Sequence, residues 1–211
     1  MKRRAVAVVL VLGCGLAVPA RAADAQDASH GRIDGDLAVA LGAGATLGPR
    51  APRATADLRF RYLQTAGIFG TYEDGPILGD AEPKRAIATG VELRPLFIAR
   101  WLQGWESGKP YLDLTLDSIG IELGAVFMQP EGARLGSKPG LQAGLGFEVP
   151  LFPRATGFFV GFHGGARWSD ATLGGTNPQS AADRSLYLSM TISWQQIFGA
   201  HVVDLGDRRQ Q

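Results

Sequence analysis

The chain has 211 residues, of which 45% are hydrophobic and 19% charged. Ample Leu, Val, Ile and Phe at that length exclude a disordered tail and leave room for one large domain or two small ones. A formal charge of +1 lacks the basic excess of a nucleic-acid binder, and 29 glycines, roughly twice the usual share, ask for a structural reason.

Residues 1–22 read as a cleaved signal peptide. Met1-Lys2-Arg3-Arg4 is a basic head, Ala5 to Val18 an apolar run, and Ala20-Arg21-Ala22 a small-residue cleavage site, with Ala23-Asp24-Ala25 as a second. The run falls short of the about 20 apolar residues that a spanning helix needs. Losing Lys2, Arg3, Arg4 and Arg21 takes the basic total from 21 to 17 against 20 acids, so the mature chain is mildly acidic. Cys14, the one cysteine, leaves with the signal, which takes disulfides and thiolate metal sites with it. The alternative is a lipoprotein, because Val11-Leu12-Gly13-Cys14 is close to the pattern of a lipidated cysteine. Residues 23–34 form a polar N-terminal segment.

From residue 35 the hydrophobic period becomes two, the period of a strand with unlike faces. Leu37, Val39, Leu41, Ala43, Ala45 and Leu47 share one face of a first strand. Ala54, Ala56, Leu58, Phe60 and Tyr62 oppose Thr55, Asp57, Arg59 and Arg61, and the same parity runs loosely on to Tyr72. Ile87, Thr89, Val91, Leu93 and Phe97 mark a third segment, and Phe97 to Trp105 is a short helix or a loop. Leu112, Leu114 and Leu116 continue into Ile119, Ile121, Leu123, Ala125 and Phe127 with a phase slip between Asp117 and Ser118, which a bulge or a break produces. Leu141 to Val149, Phe158 to Trp168 and Leu186 to Trp194 complete seven segments. A closed barrel wants an even count, so an eighth is expected at 200–205 or in half of the slipped segment. The turn-rich stretches are 48–52, 73–84, 129–139, 150–156 and 169–183. Nothing divides the chain, which gives one β-barrel domain over 35–198 and a C-terminal tail over 199–211.

Alternation leaves open which face meets the solvent. The glycines decide it. Gly42, Gly44, Gly90, Gly120, Gly124, Gly144, Gly146, Gly161 and Gly165 lie on the polar face, interleaved with long charged residues, and the three mature lysines, Lys84, Lys109 and Lys138, lie in connections. Small residues between long charged ones suit a narrow polar lumen, with the apolar face outward and Tyr62, Phe97, Phe127, Phe147, Trp168 and Trp194 near segment ends as an aromatic belt. Trp101 and Trp105 suit the same boundary. The expected fold is therefore all-β, an antiparallel up-and-down transmembrane β-barrel of about eight strands.

Met190-Thr191-Ile192-Ser193-Trp194-Gln195-Gln196-Ile197-Phe198 alternates and ends on an aromatic. It resembles the final strand of the small outer-membrane β-barrel proteins of Gram-negative bacteria, the OmpA/OmpX-like class, although 13 residues follow Phe198 here. The resemblance covers about residues 35–198. It implies the cell outer membrane as location, with outer-membrane lipid and the barrel-insertion machinery as partners. One conflict stands in the pattern. With seven segments the shortest connections fall on one side, and placing them in the periplasm starts the first strand outside the cell; a missed early strand, an exception to the loop-length rule or a barrel outside the membrane would each account for it.

The ionisable residues on the polar face are Asp57, Arg59, Arg61, Glu92, Arg94, Glu122, Glu148, His163 and Arg167. Buried in a lumen they form either a binding site or ion path, or a mutually neutralising network that fills the barrel, and the second is expected. His163 is the catalytic candidate. Ser169 and Asp170 follow it, but six extended residues span about 20 Å, so the three meet only if the loop folds back. Some lipid A deacylases are small barrels with a His-x-Ser pair on one strand, whereas Gly165 stands at that serine position here. The glycine pattern at 42–48 lies within a strand and does not open a helix, and no zinc or nucleotide motif occurs. The acids in 73–82 read as a solvated loop. The expected function is structural or interaction-based, without cofactor, metal or nucleic acid, and loops 73–84 and 169–183 are the surface for an extracellular or periplasmic protein partner. The alternatives are a lipid-modifying enzyme and a soluble or lipid-anchored barrel that binds an apolar ligand.

Overall fold

A computed structural model describes residues 37–77, 79, 82–129, 134–175 and 183–199. The expected signal peptide with Cys14, the expected polar segment 23–34, the strand expected at 200–205 and all but the first residue of the expected tail lie outside the described residues. Eight antiparallel strands close into a barrel in sequence order. They are β1 (Leu37–Leu47), β2 (Arg53–Tyr62), β3 (Ala66–Asp74), β4 (Arg85–Leu93), β5 (Gly120–Gln129), β6 (Gly140–Pro150), β7 (Gly157–Trp168) and β8 (Arg184–Phe198). Closure pairs β1 with β8 from Leu37 opposite Phe198 to Leu47 opposite Leu188. Full closure leaves no unpaired edge.

The eighth strand is β3, which the sequence reading merged with β2. Between them the chain reverses at Leu63 and Gln64, whose φ angles are 49° and 56°, and Thr65 N–H donates to the Tyr62 carbonyl at 3.1 Å. Two consecutive positive φ angles make the tight reversal that suits a hairpin, and that turn usually advertises itself as Asn-Gly or Asp-Gly. Leu-Gln carries no such signal, so the parity ran on unbroken. Correcting the count moves connection 48–52 to the same end as 75–84, 130–139 and 169–183 and leaves the three-residue turn 63–65 and the turn 151–156 at the opposite end, called the termini end because β1 begins and β8 finishes there. The conflict over loop lengths came from the missed strand.

The termini end also carries the 94–119 connection, where two expectations change. Leu112, Leu114 and Leu116 belong to a helix and not to a strand. That connection contains helix α1 (Pro95–Gln103) and helix α2 (Pro110–Asp117), each with proline in its first turn, where the missing N–H costs nothing. Alternating leucines imitate a strand, but Asp113 and Asp117 lie four apart on one helical face, and both pair with Arg100 of α1, Asp117 at 2.9 Å. Phe97 likewise leaves the aromatic belt, for it lies on α1 and is fully buried. One further helical turn, α3 (Asp170–Leu173), opens at the Ser169 side chain, which accepts from Thr172 N–H.

The barrel is apolar outside. Leu41, Ile68, Val91, Leu145 and Leu186 are exposed, whereas Arg59, Arg61, Glu122 and Arg167 are at most 2% exposed. A soluble barrel has the reverse arrangement. Along the described strands the outward-facing charged residues are Asp74, Arg85 and Arg184, all at the loop-bearing end. Outward aromatics gather near both rims: Tyr72, Phe127 and Trp168 at the loop-bearing end, and Tyr62, Phe147, Phe158, Trp194 and Phe198 toward the termini. Phe158 meets Trp194 edge to face at 4.9 Å between ring centres.

Candidate functional site

The candidate site is the lumen, and its shape follows from which strands carry small residues. β1 turns Ala38, Ala40, Gly42, Gly44 and Thr46 inward, and β8 turns Ser185, Ser189, Thr191 and Ser193. The volume they leave is taken by arginines from β2 and β7. Glycine is required at several inward points. A Cβ at Gly90 would lie 2.2 Å from the Leu123 carbonyl oxygen, so β4 and β5 approach too closely there for any side chain. A Cβ at Gly146 would lie 2.1 Å from His163 Nδ1, so the imidazole rests on bare backbone.

Two ionic layers fill the interior. Toward the termini, Arg59 donates to Asp57 (2.8 Å), Glu92 (2.9 Å) and Glu122 (2.6 Å). Arg61 donates to Glu148 at 2.5 Å and to the Gln195 side-chain oxygen at 2.8 Å. Arg94, just beyond β4, bridges Glu92 (2.7 Å) and Glu148 (2.9 Å). Toward the loops, Glu73 accepts from Arg53 at 2.9 Å and from both terminal nitrogens of Arg167 at 2.9 and 2.5 Å. Arg167 also donates to Gln142 at 2.7 Å and lies 4.1 Å from the centre of the Tyr187 ring.

Of the expected residues, Arg59, Arg61, Glu92, Arg94, Glu122, Glu148 and Asp57 meet in one network, and Arg167 belongs to the second. Arg53 and Glu73 were missed. Glu73 is a correction, since it is 1% exposed inside the barrel and not part of a solvated loop. Once β3 is recognised, its parity with Phe69 and Thr71 places it inward. Five arginines, Arg53, Arg59, Arg61, Arg94 and Arg167, face five carboxylates, Asp57, Glu73, Glu92, Glu122 and Glu148, so the formal charges of these ten groups cancel. Buried charges persist only when paired in this way.

His163 Nδ1 lies 2.8 Å from Glu122 Oε1, and its Nε2 is buried without a hydrogen-bond partner. Ser169 is not brought to it. The serine hydroxyl donates to Asp183 at 2.6 Å and caps α3 beyond the strand end. Among the described residues no group of three or more His, Cys, Asp or Glu is arranged to hold a metal.

At the termini end the lumen is stoppered. Phe97 of α1 is fully buried, and Leu114 of α2 packs with Ala38, Ala155 and Ile197. The Ser118 hydroxyl bonds both the N–H (2.7 Å) and the carbonyl (2.9 Å) of Glu148, fixing α2 to β6.

A closed antiparallel sheet of eight strands, greasy outside and ionic within, decides the architecture. The fold is a closed, eight-stranded, antiparallel up-and-down β-barrel. Solved structures similar to it include Acinetobacter baumannii CarO2, at 12% identity and a TM-score of 0.48 over 75% of this chain and 99% of that one. The N-terminal β-barrel domain of Pseudomonas aeruginosa OprF matches at 8% identity and 0.43, over 75% and 97%. Neisserial surface protein A matches at 9% identity and 0.39, over 75% and 96%. No family model matches the chain, and no curated protein matches it.

Proposed function

We propose that the mature protein is an outer-membrane barrel that is closed to solutes and acts as a structural or binding element, not as a pore or a catalyst. One observation carries this reading: the lumen charges are sealed from water while the leucines, valines and isoleucines of the outer face are bare. Side chains lining an aqueous channel are wetted, whereas Arg59, Arg61, Glu92, Glu122, Glu148 and Arg167 are 1–3% exposed. Exposed apolar strands of 9 to 15 residues match what tilted strands need to cross a bilayer. The usual arrangement then puts both termini and the turns 63–65 and 151–156 in the periplasm, and 75–84, 130–139 and 169–183 outside the cell as the surface for a partner.

Partition with outer membranes and heat-modifiable mobility in detergent gels are the expected results. Liposomes carrying the purified protein should retain small sugars as well as empty ones do; free sugar flux ends the closed-barrel reading. The enzyme alternative places His163 where lipid would have to enter a sealed lumen to reach it. Lipid A from a deletion strain should therefore have an unchanged mass spectrum.

A further inference from the structure

The 94–119 connection is long for the end that also carries the turns 63–65 and 151–156, and its outer portion is unusual in composition. Residues 102–112 are all exposed, and they include Leu102 (69%), Trp105 (63%), Tyr111 (49%) and Leu112. Leu151 and Phe152, in the turn that follows β6, are exposed as well, and the Tyr111 hydroxyl reaches the Leu151 carbonyl at 3.5 Å. The segment is held in place from within. Arg100 pairs with Asp113 and Asp117, and Ser107 N–H donates to Asp113 at 3.0 Å. Gly104, at φ 62°, ends α1 with its N–H on the Trp101 carbonyl and Trp105 N–H on the Arg100 carbonyl at 2.9 Å, which turns the indole away from the helix.

We propose that this connection is an interfacial anchor, with Leu102, Trp105, Tyr111 and Leu112 seated at the headgroup boundary of the periplasmic leaflet alongside Leu151 and Phe152. The proposal rests on the reading of the barrel as membrane-embedded with its termini in the periplasm. The occupant is lipid because the patch continues an apolar surface already assigned to lipid: Leu145 and Phe147 face outward on β6, the same parity reaches Leu151, and Tyr111 of α2 abuts that residue. An indole and a phenol, each with an apolar body and a polar tip, suit the headgroup level, and nearby Glu106, Ser107 and Lys109 can stay in water. The same connection thus stoppers the lumen with Leu114, packed against Ala38 and Ile197, and grips the membrane with its opposite side.

Tryptophan depth measures this directly. The chain has four tryptophans. Two single-tryptophan proteins, one keeping Trp105 and one keeping Trp194, are reconstituted in phosphatidylcholine vesicles whose acyl chains are brominated either near the headgroup or near the terminal methyl. Trp105 should be quenched at least twofold more by the shallow label than by the deep one and should resist aqueous acrylamide. If Trp105 is untouched by both labels and open to acrylamide, the anchor is refuted while quenching of Trp194 still shows an embedded barrel. If it is shielded from acrylamide without lipid quenching, protein covers it and the anchor is equally refuted. If Trp194 also escapes both labels, the embedded barrel itself has failed and the anchor fails with it. Should the multiply substituted proteins not fold, loss of the shallow quenching component between the unaltered chain and Trp105→Phe reads the same quantity.

Discussion

The two ionic layers of the lumen are built from the same residue types and differ in redundancy. In the loop-side layer a single carboxylate, Glu73, serves both Arg53 and Arg167. In the termini-side layer Arg59 has three carboxylates, Glu92 has three arginines and Glu148 has two. The first is a bridge and the second a mesh. A bridge fails at one point, because removing its only acid leaves two buried cations unpaired, whereas a mesh redistributes the loss. The difference also has a spatial cause: the mesh sits above the helical stopper, whose Ser118 and neighbouring Arg94 tie Glu148 in place, while the loop-side layer has glutamine and an aromatic face as its other partners.

The largest effect is expected from Glu73→Gln. Breaking a buried pair on one side costs about 3–5 kcal/mol, which a urea titration of the reconstituted barrel should report as a fall in midpoint. Replacing Arg53, Glu73 and Arg167 together by apolar residues of similar volume should recover most of it, since no charge is then stranded; a triple variant as weak as the single one would mean that the arginines act by more than pairing. Asp57→Asn tests the mesh. Asp57 accepts twice from Arg59, at 2.8 and 3.2 Å, and the amide oxygen can keep one of those bonds while Glu92 and Glu122 stay in place, so the loss should stay near that of one charged hydrogen bond, about 1.5–3 kcal/mol, and a loss equal to that of Glu73→Gln would erase the distinction between the layers.

Gly146→Val should cost about 1–3 kcal/mol by overpacking and lift His163 off Glu122, visible as a changed imidazole resonance in detergent micelles. The helical connection gives a smaller, pH-dependent effect. Burial pushes the Asp113 carboxyl up, but the Ser107 N–H and hydroxyl and the Arg100 guanidinium outweigh it and hold the group below the usual carboxylate range. A depressed folded value means the contribution is intact above the unfolded carboxylate pKa of about 3.9 and is lost as pH falls through the lower folded value. Limited proteolysis between α1 and α2 should therefore be flat from neutral pH down to that range and rise below it, and Asp113→Asn should show the raised rate at neutral pH. Least of all, Arg85→Ala removes a half-exposed pair with Asp74 at the outer rim, and the unfolding midpoint should not move.

The lumen mesh was legible because parity is a strict constraint. Arg59, Glu92, Glu122, Glu148 and Arg167 each alternate with outward apolar residues, and a period of two fixes their side of the sheet without knowledge of partners. Arg53 and Glu73 share the parity of Asp57 and Arg59, but each stands at the loop-side end of its strand beside turn-rich residues, and the strand that carries Glu73 is divided from β2 by a boundary without a local signal. That boundary is a turn of Leu63 and Gln64 in a conformation such residues seldom adopt, held by contacts made elsewhere: Gln64 is buried and accepts from Arg94. The α2 helix was hidden for a related reason. Leu112, Leu114 and Leu116 satisfy a strand's alternation, and what makes them helical is Arg100 gathering Asp113 and Asp117.

Local alternation is enough to set which face of each strand is apolar, that small residues line the interior, and that a closed sheet of about eight strands is the form able to use both, because it acts within a few residues and needs no distant partner. The exact strand count, the separation of the ionic residues into a bridge and a mesh, and the folding of 94–119 into a stopper come from the assembled barrel. Those depend on contacts between residues far apart in the chain, such as Arg61 with Glu148 and Arg167 with Glu73, and such contacts leave no mark on local periodicity.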